Sequence, residues 1–405
     1  MNVRPLMSGA LLLALGGCGG SDGASDAGPT GPAPGVGVQF TAVSAGGYYT
    51  CGLIDTGDAR CWGDNFSGQL GTGTSDYSAT PALVAGGLRF ANVSAAGIRH
   101  ACGLTTAGAA YCWGEYGLLG TGELAGSLAP VAVAGGHTFT VISSGGGHSC
   151  ALTPTGDAYC WGNNLSGALG NGATTGGLAP VLVTGGHKFI SISAGGNHTC
   201  AIASGGAAYC WGTDGPNGEH VLGVGTTPIP EDCQYFACSL VPLPVTGGIA
   251  FTSITASREH TCGLAAGGVA YCWGTNTFGQ LGDGTTVGRA SPVRAAPGMS
   301  FVALSAGSGD RGEAQTCGLT SNGTALCWGF NEYGQLGNGT TTNSATPVPV
   351  AGGHTYTAIS VGRDHVCGLT RDHVLYCWGG NSNGSLGMGT TGQFVTVPTR
   401  VAGQR

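Results

Sequence analysis

The stretch Cys150-Ala151-Leu152-Thr153-Pro154-Thr155-Gly156-Asp157-Ala158-Tyr159-Cys160-Trp161-Gly162 decides the fold, because it recurs. Its Cys-Trp-Gly ending starts at Cys61, Cys112, Cys160, Cys210, Cys272, Cys327 and Cys377, and takes all 7 tryptophans of the chain. A further cysteine stands ten positions before each, at Cys51, Cys102, Cys150, Cys200, Cys262, Cys317 and Cys367. One unit thus uses fourteen of the 17 cysteines. Recurrence at a period of about 50 residues marks an array of supersecondary units rather than a set of independent domains.

In the third copy, segments starting at Phe139, His148, Tyr159 and Pro180 are rich in Val, Ile, Thr, Phe, Tyr and Trp and are separated by Gly-rich turns. They read as four strands per copy, and no stretch carries a helical period. Four antiparallel strands repeated seven times predict an all-β protein, a seven-bladed β-propeller of four-stranded antiparallel blades, whose closure leaves only short, protected edges. A β-solenoid is the alternative, although its coils are usually about half this length. The body begins with a first-strand segment, Phe40 to Ser44, and ends with a fourth-strand one, Pro398 to Val401. Its ends therefore meet either as adjacent blades or within a shared one.

Taking Pro154, Thr155 and Gly156 as a three-residue hairpin loop sets Thr153 opposite Asp157 and Cys150 opposite Cys160. Such loops often end in a residue of positive φ, which glycine adopts without strain. Gly holds that place in six copies and His373 in the seventh. Counting outward makes the two cysteines a non-hydrogen-bonded pair, where a cross-strand disulfide fits. The same count joins Cys51 to Cys61, Cys102 to Cys112, Cys200 to Cys210, Cys262 to Cys272, Cys317 to Cys327 and Cys367 to Cys377. Cys233 and Cys238 form an eighth local pair. Metal binding is the weaker reading, because the spacing lacks the tight C-x2-C knuckle that wraps zinc. Eight disulfides imply an oxidising compartment. The tryptophan, one residue beyond its cysteine, points to the opposite sheet face and toward a neighbouring blade.

Residues 1–18 read as an export signal, with Arg4 as the positive start and Leu6 to Leu15 as the apolar core. Leu15-Gly16-Gly17-Cys18 resembles the lipobox of bacterial lipoproteins, in which that cysteine is acylated and becomes the mature N-terminus. Residues 19–38, rich in Gly, Ser and Pro, read as a disordered tether, and residues 39–405 as the propeller. The expected address is the bacterial cell envelope, as an outer-membrane or cell-surface lipoprotein touching the membrane through its lipid alone; secretion is the alternative. Net charge is −7, charged residues make up 8%, and Lys188 is the single lysine. No basic patch can neutralise phosphates, which argues against a nucleic-acid partner.

Written out, the repeat is Ser-Ala-Gly-x-x-His-x-Cys-x-Leu, Cys-Trp-Gly-x-Asn-x-x-Gly-x-Leu-Gly-x-Gly-Thr and Pro-x-x-Val. It resembles the regulator of chromosome condensation repeat family over about residues 40 to 403, most specifically at Gly68 to Thr74, Gly279 to Thr285 and Gly334 to Thr340. The resemblance implies a seven-bladed propeller. The family's eukaryotic namesake exchanges guanine nucleotides on a nuclear GTPase and binds nucleosomes, and an exported, acidic, lysine-poor chain suits neither role. Secreted bacterial propellers that grip β-lactamases with one face are a nearer analogy, and fold by itself does not fix function.

Loops after the first and third strands of each blade emerge on one face, so irregularities can be sorted by face. Cys210 to Pro242 spans 32 positions where four copies have 20, and the extra chain holds Glu231, Asp232, Tyr235 and Phe236. Ser305 to Cys317 spans 12 positions where most copies have 7, adding Asp310, Arg311 and Glu313. Both insertions fall on the same face. Long loops on a rigid ring carry binding residues, and aromatic side chains are the anchors that partners bury. Drift in tolerant surface loops is the competing reading.

The expectation is therefore a monomeric, non-catalytic scaffold for a protein or glycan outside the cytoplasm, with no cofactor and no metal. His100, His148, His198, His260 and His365, each two before its cysteine, read as a structural hydrogen-bonding ring. Asn65, Asn164, Asn276, Asn331 and Asn381 read as turn formers. The alternative is an enzyme, lyase or hydrolase, at the channel mouth, drawing on Glu219, His220, Asp310 and Glu313.

Overall fold

The computed structural model describes residues 37–405 apart from 96, 216–218, 227, 230, 234–235, 308 and 310–312, and at 231 and 232 it describes the backbone. Cys18, most of the tether, Tyr235, Asp310 and Arg311 lie outside the described residues.

Seven antiparallel sheets follow one another along the chain. The first contains Phe40–Ala45, Tyr49–Ile54, Ala59–Gly63 and Ser78–Leu83 in that order, and the last Tyr356–Val361, His365–Thr370, Leu375–Gly379 and Val395–Arg400. Every blade is built from consecutive strands, and the first strands of neighbouring blades touch around the central channel. That settles how the ring closes: the two ends of the chain contribute adjacent blades, and no blade is shared. Val38 bridges Gln404 in parallel, with its N–H donating to the Gly403 carbonyl at 2.9 Å. The Gln404 side chain locks the seam by accepting from Leu375 N at 2.6 Å and donating to Leu375 O at 2.8 Å.

An inner strand is a sheet edge, and its unpaired N–H groups need acceptors. One hydroxyl per blade supplies them. The side-chain oxygens of Ser44, Ser94, Ser143, Ser193, Thr255, Ser305 and Ser360 accept from the backbone N–H of Ala95, Ser144, Ala194, Ala256, Ala306, Val361 and Ala45, each on the next blade. This ladder is unbroken around the ring.

The hairpin read from Cys150 to Cys160 forms in the expected register. Thr153 N donates to Asp157 O and Gly156 N to Thr153 O, both at 2.9 Å, with Gly156 at φ +82°. His373 takes the same left-handed place at φ +60° and sets its Nδ1 3.0 Å from the Phe40 carbonyl oxygen of the first blade. Cys150 stands opposite Cys160 with the Cα atoms 4.1 Å apart, and the two are joined. The other six copies repeat the bond. The fourth blade departs from four strands: its insertion folds as a hairpin in which Glu231–Cys233 pairs with the nine-residue strand Phe236–Pro244, closed by Cys233–Cys238.

All seven tryptophans are fully buried, each against the preceding blade. Trp62 of the first blade sits with Leu369, Leu375 and Leu386 of the seventh. Burying 150–250 Å² of such a ring contributes roughly 4–6 kcal/mol as an upper estimate. The residue it meets must be glycine. A Cβ on Gly387 would lie 2.7 Å from Trp62 Nε1, and Gly387 also has φ +68°. The last glycine of Gly-x-Leu-Gly is thus fixed by its backbone conformation and by the tryptophan of the next blade.

Candidate binding face

The repeated histidines join blades. His365 Nε2 lies 2.8 Å from Thr50 Oγ1 of the first blade, and Thr50 Oγ1 donates its single proton to Ser385 O at 2.9 Å. The imidazole must therefore donate through Nε2, which fixes its tautomer. Trp62 Nε1 donates to the same carbonyl at 2.9 Å. His148 with Thr199, His198 with Thr261 and His260 with Thr316 repeat this relay across three other interfaces. Burial pushes the pKa of His100 down to about 4 and those of His148, His198 and His260 down to about 3, with neighbouring ring histidines adding to the shift at His148 and His198. Tyr49 and Gln315 stand in for histidine in the other two blades and bond to the next blade's backbone at His100 O and Gly362 O.

The second blade is the weak copy. Gly114 to Gly120 spans six positions where Gly63 to Gly71 spans eight, and the loop asparagine is missing. In full-length loops that asparagine is the organiser: Asn65 Oδ1 accepts from Leu70 N while its Nδ2 donates to Thr74 O and Asp76 O. Without it the next tryptophan, Trp161, has no acceptor for Nε1. In the fourth blade Asp214 takes the asparagine's place, accepts from Leu222 N at 3.0 Å, and has its pKa raised by burial.

First-to-second and third-to-fourth connections meet around the channel mouth, a cavity of about 730 Å³. Its rim is largely glycine, including Gly46, Gly146, Gly196 and Gly362, and carries Arg99, Arg258 and Arg363 with Asp64 and Glu115. Arg99 pairs with Glu115 at 2.8 Å, and the Arg363 guanidinium lies 4.5 Å from the centre of the Tyr48 ring. Glu219 and His220 line neither this mouth nor the groove that Glu313 lines between the sixth and seventh blades. His220 instead pairs with Asp214, Nδ1 to Oδ2 at 3.0 Å.

Among the described residues, exposed aromatic side chains are confined to this face. They are Phe66, Tyr77, Tyr116, Tyr333 and Phe394, between the third and fourth strands of their blades, and Phe236, which begins the fourth strand of its blade. Phe66 is 88% exposed and Tyr116 63%. Of the residues expected from the insertions, Phe236 begins the long strand of the added hairpin and is exposed, Glu231 and Asp232 lie on its short strand, and Glu313 borders the groove. Phe66, Tyr116, Tyr333 and Phe394 were hidden in sequence because they occupy variable positions inside loops whose constant residues drew the eye. For Phe66 and Tyr333 the sequence signal is an aromatic at x in Asn-x-x-Gly; Tyr116 and Phe394 lie outside that motif.

Eight disulfides suit an oxidising compartment, and among the described residues no helix is long and apolar enough to cross a membrane. The human E3 ubiquitin-protein ligase HERC2 is 28% identical over 340 residues, 81% of this chain and 6% of that protein. The Ultraviolet-B receptor UVR8 of Arabidopsis thaliana is 30% identical over 314 residues, 75% of this chain and 56% of UVR8. The chain therefore spans less than two thirds of either relative. The structure of Kap60 bound to yeast RCC1 (Prp20) matches with a TM-score of 0.72 at 17% identity, over 94% of this chain and 91% of that one. One profile of the Regulator of chromosome condensation (RCC1) repeat matches residues 107–152, 155–202, 267–309 and 322–369, and a second matches 40–69, 139–168, 189–219, 251–280, 301–335 and 356–385. With seven such blades closed into one ring, the chain belongs to the RCC1 repeat family.

Proposed function

We propose that the protein is a non-catalytic scaffold that grips a partner protein through the third-to-fourth-strand loops, outside the cytoplasm, held to the membrane by a lipid on Cys18. The observation that carries the reading is the segregation of the six exposed aromatics among the described residues to one face. Aromatic anchors surrounded by polar rim are the residues that dominate protein interfaces. The backbone beneath them is stapled in every blade, so few conformations are lost on binding. Yeast RCC1 in its complex with Kap60 is a family member that engages a protein. The address rests on the disulfides and on the lipobox-like Cys18.

The test is cross-linking and affinity capture from the intact cell surface with three forms: wild type, Phe66→Ser with Tyr116→Ser, and a form with residues 231–238 replaced by a Gly-Ser linker. At least one altered form loses a saturable partner that wild type retains. An identical partner set in all three sinks the reading. Intact mass of the membrane fraction decides the anchor separately, since acylation of Cys18 adds the mass of its acyl chains.

A further inference from the structure

A second cavity, about 320 Å³, opens on the same face between the sixth and seventh blades. Its origin can be traced to two residues. The position after Cys-Trp-Gly is Asp64 in the first blade, where the carboxylate accepts from Gln69 Nε2 at 2.8 Å. In the sixth blade that position is Phe330, and in the seventh it is Gly380. Gln335, the counterpart of Gln69, still accepts from Tyr333 N through Oε1 at 2.9 Å. Its Nε2, fully buried in the groove wall, has lost the acceptor. Gly380 leaves space that the Asp364 side chain fills: a Cβ there would lie 2.7 Å from Asp364 Oδ2. Asp364 Oδ1 is also buried and makes no hydrogen bond, with His365 Nδ1 3.5 Å away.

Two residues that line the groove thus each keep one buried atom without a hydrogen-bond partner, an amide donor and a carboxylate acceptor. Buried groups of this kind destabilise the fold when nothing meets them, so each is a feature to be explained. Two half-exposed rings, Tyr333 and Phe394, flank them, and Arg363 lies over Tyr48 at the far side.

We propose that this groove is a binding subsite for a neutral saccharide. Hydroxyls donate and accept at once, so a sugar offers partners to both Gln335 Nε2 and Asp364 Oδ1, while its C–H face packs on Tyr333 or Phe394. Glu313 and Asp364 disfavour an anion, and the saccharide is taken as neutral because hydroxyls meet an amide donor and a carboxylate acceptor without adding charge. The volume lies at the small end of the roughly 300–1,000 Å³ typical of small-ligand sites, suited to a ring rather than an extended peptide. The inference goes beyond the protein-docking reading and stands if that reading fails, because Phe66 and Tyr116 are no part of the groove.

The experiment titrates the full chain with neutral oligosaccharides of glucose, galactose, mannose and N-acetylglucosamine, followed by saturation-transfer NMR and calorimetry. At least one series binds saturably. Gln335→Glu, which keeps the size and the Tyr333 bond but replaces the donor, weakens it about tenfold or more. Phe394→Ala, a surface change that leaves folding intact, does the same, and Tyr116→Ser does not. Failure of the whole panel to bind overturns the assignment, as does binding that survives Phe394→Ala and a folded Gln335→Glu.

Discussion

His365 on the seventh blade and Thr50 on the first are joined by a 2.8 Å hydrogen bond across the seam where the two ends of the chain meet. Thr50 Oγ1 donates to Ser385 O, which also accepts from Trp62 Nε1. Histidine and carbonyl come from one blade, hydroxyl and indole from the next, so the relay forms only when the two blades dock. The seam is therefore made by the same chemistry as the internal interfaces, where His148, Thr199, Ala168 O and Trp211 form the identical set.

Replacing Thr50 by Val leaves the His365 Nε2–H buried without an acceptor. The loss should be about 1–3 kcal/mol. Thr199→Val removes the same hydroxyl between the third and fourth blades, and the two variants should match within about 0.5 kcal/mol in urea unfolding. A much larger effect at Thr50 would show that the ring opens first at its seam.

The histidines make the fold acid-sensitive. His100, His148, His198 and His260 have folded pKa values of about 4, 3, 3 and 3, against roughly 6.5 in the unfolded chain. A depressed folded pKa means the unfolded state binds more protons once the pH drops below 6.5. The stability these groups contribute is complete above that pH and is lost as pH falls toward 4 and 3, by about 1.4 kcal/mol per pH unit for each histidine. Urea midpoints measured between pH 8 and pH 4 should be flat above 7 and fall below 6. His198→Gln, with Gln315 as the native precedent, should remove about one proton from the slope. A midpoint that does not move between pH 6.5 and 4.5 counts against the buried neutral ring.

Much of this was legible in the sequence because the repeat imposes the same local rules seven times. Thr153 opposite Asp157 follows from a three-residue loop, and Cys150 opposite Cys160 follows from counting. The face of Trp161 follows from alternation. Ring closure was not legible, since Phe40 and Val401 are compatible with either scheme until Val38 is seen beside Gln404. The fifth strand at Glu231–Cys233 was not legible either, because a single copy offers no repeat to average over. The groove at Gln335 was invisible for a different reason: it is made by what Phe330 and Gly380 fail to provide, and a missing acceptor shows only when blades are laid side by side in space.

Glycine at the tryptophan contact can be separated from glycine needed for φ alone. Gly353 has φ +62° and open space around its missing Cβ, whereas Gly387 has φ +68° and faces Trp62. Gly353→Ala should cost about 1–2 kcal/mol, the strain of a left-handed alanine. Gly387→Ala adds displacement of a buried indole and its bond to Ser385 O, and should cost at least about 2 kcal/mol more. Thermal unfolding of both variants checks it, and equal shifts would remove the tryptophan contact from the explanation.

The eight disulfides should not reduce together. The fourteen hairpin cysteines are completely buried, whereas Cys233 is 6% exposed and sits on the added hairpin of the fourth blade. Exchange requires a thiolate to reach a disulfide sulfur. Mild reductant at neutral pH, followed by alkylation and peptide mapping, should label Cys233 and Cys238 while the other seven bonds survive until the propeller unfolds. The bond closes a loop five positions long, which limits its contribution to about 2 kcal/mol. The four strands beneath form a complete blade without it, so the unfolding midpoint should fall little. Phe236, next to this bond, then becomes mobile while Phe66 and Tyr116 stay fixed on stapled blades. A partner that leaves on selective reduction contacts the inserted hairpin; one that stays is held by the first and second blades. Labelling of all sixteen cysteines in the folded protein would contradict the burial on which this order depends.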